Sequence, residues 1–252
     1  MKPNIFFVTV DSLRADRCFG ENRSAKTPNL DSLIKKGIYF SQAISAADQT
    51  GASLSSVFSG IFPIRTGKNQ ITFKSDTTTY FGILKNSNYY TCTLVPDIAF
   101  FKEFTTNFDD KMIYAFDNVK TRQNLGNDLG KKIIAKLKSK GMKEPWIYYI
   151  HLMDIHTPFS VPSEFDKQEN GETKYDRLVS LVDVWLGRFL NEINMENTII
   201  VVSADHGEYI PATDESISEI PNIQRLLTKG QTSISFIEKM RMKTLLNLRF
   251  AA

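Results

Sequence analysis

"NIFFVTVD", residues 4 to 11, is an unbroken apolar, β-branched and aromatic run that closes on an acid. Its length suits a strand, and the lack of polar alternation suits one buried on both faces, as in a parallel sheet. Asp11 then falls at the strand's C-terminal end. Two later stretches repeat the pattern: "PWIYYIHLMD" (145 to 154) and "NTIIVVSADHGE" (197 to 208). The first brings His151 and Asp154, with His156 in the proline-containing loop behind it; the second brings Asp205 and His206. Helical patterns lie between these strands. "TPNLDSLIKKG" (27 to 37) carries Thr27 as cap, Pro28 at the first helical position and Gly37 as stop. Helices are also predicted over residues 51 to 60, over "TTTYFGILKNSNY" before the strand "YTCTLVP", over "LGNDLGKKIIAKLKSKG", and from about Lys174 to Met195. "IYFSQAISA" (38 to 46) reads as a further strand, and residues 100 to 122 as irregular and aromatic-rich. The alternation predicts an α/β fold: a parallel sheet covered on both faces, with its site beyond the carboxyl ends of the strands, where Asp11 and Asp205 can meet.

Composition narrows the function classes. With 252 residues, 42% hydrophobic and 23% charged, the chain is long enough for one large domain with a core. A net charge of +3 gives no basis for nucleic-acid binding, which shows as a concentrated basic face. Cys18 and Cys92 are too few for a disulfide framework or a zinc cluster and read as structural thiols in a reducing compartment. Without a signal-like or membrane-spanning stretch, a cytoplasmic location is the expectation. The tail differs: from Asn222 on it holds six basic residues against Glu238, among apolar positions such as Phe236, Met240 and Leu245. That is a packing face with solvated lysines in the first instance, and a membrane-surface contact in the second.

Carboxylate and imidazole side chains gathered at strand ends suit a divalent cation. Each cluster alone is also what a turn or a helix cap looks like. All three histidines of the chain, however, lie in two of these clusters. In "DQTGASLSSVFSG" (48 to 60), Thr50 heads a helix whose free N–H groups would bind a tetrahedral oxyanion, and a hydroxyl there, touching a cation, would be an activated nucleophile. The plainer alternative is that Thr50 or Ser53 caps the helix. His156 is likewise either a site residue or a loop histidine bonded to backbone, and His151, inside its strand, reads as a satisfied core residue.

The order of "VTVDSLRAD", "TPNLDSLIKKGIYFSQAISA", "TGASLSSVFSGIFPIRTG", "HLMDIHTPF" and "SADHGE" resembles the sulfatase family of the alkaline phosphatase superfamily across residues 5 to 208. The resemblance implies an α/β sandwich with a central, mainly parallel sheet flanked by helices. It also implies cleavage or transfer of sulfate, phosphate or phosphonate esters by a metal-bound nucleophile. Carried over, Asp11 matches the first metal-binding acid, Asp205 and His206 the later metal pair, and Thr50 the nucleophile. His156 matches the histidine that contacts the transferred group or the leaving oxygen. Gly51, Ser53 and Arg65 would bind substrate, Arg65 within the family's "G-x-x-P-x-R-T-G" stretch that begins at Gly60.

The departures refine this. Thr50 stands where authentic sulfatases carry Cys or Ser, with Ala52 for Pro and Leu54 for Arg, so no formylglycine is expected. Threonine there is similar to the lipoteichoic acid synthases and phosphoethanolamine transferases of the superfamily. Ser12 replaces a second acid, which implies a single ion held by Asp11, Thr50, Asp205 and His206: Mn²⁺ or Zn²⁺ favoured, Ca²⁺ or Mg²⁺ open. A catalytic domain is expected over 1–215 and, over 216–252, a basic helical tail or the remnant of a longer domain. The expected function is metal-dependent hydrolysis of a sulfate or phosphate ester on a small molecule, glycan or lipid. A phosphoglycerol or phosphoethanolamine type transferase and a truncated, non-catalytic metal-binding protein are the alternatives.

Overall fold

Five strands form the central sheet in the order β3-β2-β4-β1-β5: β1 Asn4–Val10, β2 Tyr90–Pro96, β3 Asp110–Tyr114, β4 Trp146–Leu152 and β5 Thr198–Ala204. Every pairing is parallel. The computed structural model describes residues 2–20, 23–62, 78–116, 124–139 and 141–208. The expected tail at 216–252 lies outside the described residues. Position in the sheet explains the sequence patterns. Central β4 is buried along its whole length and β1 nearly so, whereas edge strands β3 and β5 are exposed at intervals. A strand covered on both faces needs apolar residues throughout; an edge strand does not.

Successive side chains on a strand point to opposite faces, which divides the core in two. Phe6, Val8, Val10, Tyr148, Ile150 and Leu152 pack on one side, with α6 (Leu129–Lys138) and α7 (Lys174–Leu190). Phe7 and Tyr149 pack on the other, against Leu54 and Phe58 of α3 (Thr50–Ser59), Phe81 of α4 (Tyr80–Asn86) and the phenylalanines of α5 (Ala99–Phe104). The two helix layers thus cover both faces, as the alternation of elements predicted. Gly130 lets α6 approach α7: a Cβ there would sit 2.5 Å from the Trp185 ring.

Helix α2 (Pro28–Lys36) shows how the layers are tied together. Thr27 takes the N-cap place, but its hydroxyl bonds the Cys18 carbonyl and caps nothing. The cap comes from α7: Asp183 accepts from the N–H groups of Leu30 at 2.8 Å and Asn29 at 3.1 Å. Removing that carboxylate leaves helix-end donors without a partner, so Asp183→Ala is expected to lower unfolding free energy by about 2 kcal/mol in urea denaturation. An unchanged midpoint would contradict the assignment.

Two expectations are corrected. Residues 38 to 46 form no strand: Ile38, Phe40 and Ile44 are 84%, 74% and 90% exposed, and the segment runs as turns into α3. Apolar, β-branched residues favour a strand only where a neighbour pairs with them, and among the described residues none does. Residues 100 to 122 are not wholly irregular. They contain most of α5 and all of β3; the short helix α1 (Ala15–Cys18) and the 3-10 turn Gln168–Asn170 are also absent from the reading. The predicted helix to Met195 ends at Leu190, and that from residue 125 begins at Leu129.

Candidate active site

Register brings the strand ends together. Val10 of β1 pairs with Leu152 of β4 and Ala204 of β5, so Asp11 and Asp205 each follow directly on paired residues of adjacent parallel strands. Thr9 pairs with His151, two residues before Asp11, so His151 shares the face that carries Asp11. Asp11, His151 and Asp205 each offer a ligand atom within 4.8 Å of the others, and all three are buried.

The turn after β1 is built for this meeting. Ser12 has φ 62°, the left-handed region that L-residues with a Cβ enter at a cost of about 1 kcal/mol or more. In that conformation its N–H donates to Asp205 Oδ1 at 3.0 Å, its hydroxyl donates to Asp11 Oδ1 at 2.8 Å, and its carbonyl accepts from Tyr175 of α7 at 2.7 Å. The His206 N–H also donates to Asp205 Oδ1, at 2.8 Å. Asp205 Oδ2 is left buried with no hydrogen-bond partner, 3.5 Å from His206 Nε2.

Thr50 is not a cap. The N-cap of α3 is Gln49, without a side-chain hydrogen bond, and Thr50 is the first helical residue. Its hydroxyl lies 3.0 Å from Asp11 Oδ2 and 3.2 Å from His206 Nε2. The His206 Nδ1–H donates to the Gly207 carbonyl at 2.7 Å, which leaves the Nε2 lone pair on the Thr50 side. Asp11, Thr50, Asp205 and His206, far apart in sequence, therefore converge. The first turn of α3, with Gly51 in it, has N–H groups without intrahelical acceptors beside this cluster.

Charge within the cluster is unevenly held. Burial would raise the Asp11 carboxyl, but its neighbours, the hydrogen bond from His151 foremost, outweigh it and hold Asp11 well below the usual carboxylate range. Burial pushes Asp205 up, and the neighbouring Asp11 adds to this. His206 is raised: burial opposes its charge, and Asp205, the Gly207 carbonyl and Asp11 more than offset that. Two buried carboxylates side by side, one with an orphaned oxygen, and an imidazole with a free lone pair fit a divalent cation, since its charge relieves the repulsion that raises Asp205.

Other expected residues fall differently. Ser53 is 1% exposed, and its hydroxyl lies 2.5 Å from the Asp205 backbone carbonyl, as does that of Ser45. It holds the loop that carries Asp205 and has no hydroxyl proton left for a substrate. Arg65 lies outside the described residues. His156 is half-buried, its Nδ1 bonded to the Thr157 carbonyl at 2.6 Å and its ring edge-on to Phe116. Asp154 binds the Leu125 N–H at 2.8 Å and so anchors the approach to α6. His151, read as core, is the residue the sequence reading set aside. It is indeed fully buried, yet its Nε2 lies 3.2 Å from Asp11 Oδ2.

Known proteins share this fold. The chain is 25% identical over 213 residues to an uncharacterized protein of Haemophilus influenzae, a match that covers 82% of this chain and 32% of that protein. The fold is shared with the phosphonate monoester hydrolase of Agrobacterium radiobacter, at TM-score 0.68 and 14% identity, over 82% of this chain and 63% of that one. It is shared too with the zinc complex of the C-terminal periplasmic domain of EcEptC from Escherichia coli, at TM-score 0.61 and 16% identity, over 84% of this chain and 66% of that one. The chain therefore spans only part of the length of each relative. The sulfatase family profile matches residues 3–232, nearly the whole sequence, and on that extent of agreement the chain belongs to the sulfatase family.

Proposed function

We propose that the protein is a metal-dependent hydrolase of phosphate or sulfate esters with Thr50 as nucleophile. One observation carries this reading: the Thr50 hydroxyl, free of any capping duty, sits between Asp11 Oδ2 and His206 Nε2 beside the unpartnered Asp205 oxygen. Asp11, Asp205 and His206, with the Thr50 oxygen, would hold one divalent cation, Mn²⁺ or Zn²⁺ by the mixture of oxygen and nitrogen donors. When bound, the cation supplies positive charge that acidifies the hydroxyl and draws in the anionic oxygens of the ester. The open N-terminus of α3 adds N–H donors for those oxygens. Thr50 Oγ1, its proton passed to solvent water under that charge, would bond to the phosphorus or sulfur as the ester oxygen departs. His156, with its Nδ1–H held by the Thr157 carbonyl, would protonate that oxygen from Nε2 in its imidazolium form. Thr50 has no second oxygen with which to expel the group, so release falls to an attacking water.

If an alcohol replaced water, the same residues would make a transferase; threonine in place of the formylglycine precursor favours keeping that second reading. The test is metal-stripped protein assayed on p-nitrophenyl phosphate, p-nitrophenyl sulfate and a phenyl phosphonate, before and after Mn²⁺ or Zn²⁺ is restored. Cleavage is expected only with metal. Equal rates with and without metal, or bound metal with no ester cleaved, would overturn the proposal. Added alcohol acceptors that divert the product away from free phosphate would select the transferase.

A further inference from the structure

We infer that His151 is a positioning residue for Asp11 rather than a metal ligand, the middle member of a buried relay from Tyr149 through His151 to the Asp11 carboxylate. The inference rests on the reading of Asp11, Asp205 and His206 as cation holders. His151 Nδ1 lies 3.2 Å from the Tyr149 hydroxyl and Nε2 lies 3.2 Å from Asp11 Oδ2, so both ring nitrogens are engaged within the protein. A carboxylate accepts and does not donate, so Nε2 carries the hydrogen toward Asp11. Nδ1 is then the acceptor, and the Tyr149 hydroxyl donates to it. This tautomer has no lone pair on the Asp11 side. His206 is the opposite case: its Nδ1–H is taken by the Gly207 carbonyl, and Nε2 keeps a lone pair toward Thr50.

Packing fixes the relay in place. His151 and Tyr149 are both 0% exposed, and they sit two apart on β4, hence on one face. Phe101 of α5 lies against the imidazole at 4.6 Å between ring centroids, tilted 45°. The backbone is held as well, since the Tyr114 hydroxyl donates to the His151 carbonyl at 2.9 Å. Asp11 is thereby gripped from two directions, by Ser12 on Oδ1 and by His151 on Oδ2, which sets the plane of the carboxylate. A ligand oriented beforehand loses less freedom when a cation arrives, and loss of such an outer partner weakens metal binding by about 10- to 100-fold.

The experiment is Mn²⁺ titration by calorimetry, paired with pulsed EPR of the Mn²⁺-loaded protein to detect imidazole nitrogen bound to the metal. His151→Leu is expected to raise the Mn²⁺ Kd by about 10- to 100-fold while leaving the nitrogen signal intact. His151→Gln, whose amide N–H can replace the lost donor, should recover most of the affinity. His206→Ala should abolish the nitrogen signal. An unchanged Kd in His151→Leu, or a nitrogen signal that falls in His151→Gln, would overturn the inference. Should His151→Leu fail to fold, Tyr149→Phe carries the test, because it keeps the ring and removes only the hydroxyl. Weaker Mn²⁺ binding with the nitrogen signal retained supports the relay, and unaltered binding overturns it. Failure of the wild-type protein to bind Mn²⁺ or Zn²⁺ at all would sink the cation reading itself, and this inference with it.

Discussion

Thr50→Ala is expected to reduce ester turnover by at least about 10³-fold, the scale on which loss of a nucleophile acts. The fold should survive. Thr50 is the first residue of α3, and the helix is capped by neither its side chain nor that of Gln49, so the substitution removes no cap. Asp11 Oδ2 keeps its bond from His151 when the threonine hydroxyl goes, so the stability change should be about 1 kcal/mol or less. Thr50→Ser keeps the hydroxyl and should retain a measurable part of the rate, which a purely steric role for the threonine methyl would not allow. The assays are p-nitrophenyl phosphate and sulfate hydrolysis, with thermal unfolding in parallel. An alanine variant that cleaves either ester at the wild-type rate would remove Thr50 from the chemistry.

What could be read in the sequence follows from how local each signal is. β1 and β4 were legible because a buried parallel strand writes its environment directly into an apolar run; β5 carries the same kind of run although its residues are partly exposed, and it was legible from that composition and the Asp205 that follows it. Thr50 was ambiguous because capping and catalysis ask for the same residue type at the same place; the structure adds that Gln49 holds the N-cap place and that the Thr50 hydroxyl lies beside Asp11 and His206. His151 was set aside because a histidine inside an apolar strand carries no local mark of function. The missing information was register: Thr9 opposite His151 puts the imidazole under Asp11, and no local stretch of sequence states a pairing between residues this far apart in the chain. The α5 helix was hidden for another reason. Phe100, Phe101 and Phe104 are all buried, and so many aromatics at close spacing blur the helical period. The exposed 38–46 segment erred in the opposite direction, since its composition meets the local requirement for a strand while no described neighbour pairs with it.

Asp205→Asn should separate function from stability, with opposite signs for the two. Asparagine keeps an Oδ1 that can accept from the Ser12 and His206 N–H groups, so the turn after β5 retains its bonds. It loses the charge on the buried, unpartnered side of the carboxylate, where a cation is proposed to bind. Mn²⁺ or Zn²⁺ affinity should therefore fall by about 100-fold or more, and turnover with it. The metal-free protein should become more stable. Burial and the nearby Asp11 raise the Asp205 carboxyl, so the folded state holds this proton to higher pH than the unfolded chain does. A native state that binds the extra proton loses stability as pH rises from the ordinary Asp range through the raised value, and ionised Asp205 is a net cost at neutral pH. Asparagine removes that cost. The melting temperature of the metal-stripped variant at pH 7 should exceed that of metal-stripped wild type, and the difference should shrink as pH falls through the same window. Added metal should reverse the order, because only the wild type gains the binding free energy. A variant less stable than wild type in the absence of metal would make Asp205 a structural carboxylate first, and the buried pair with Asp11 would need an explanation other than a cation.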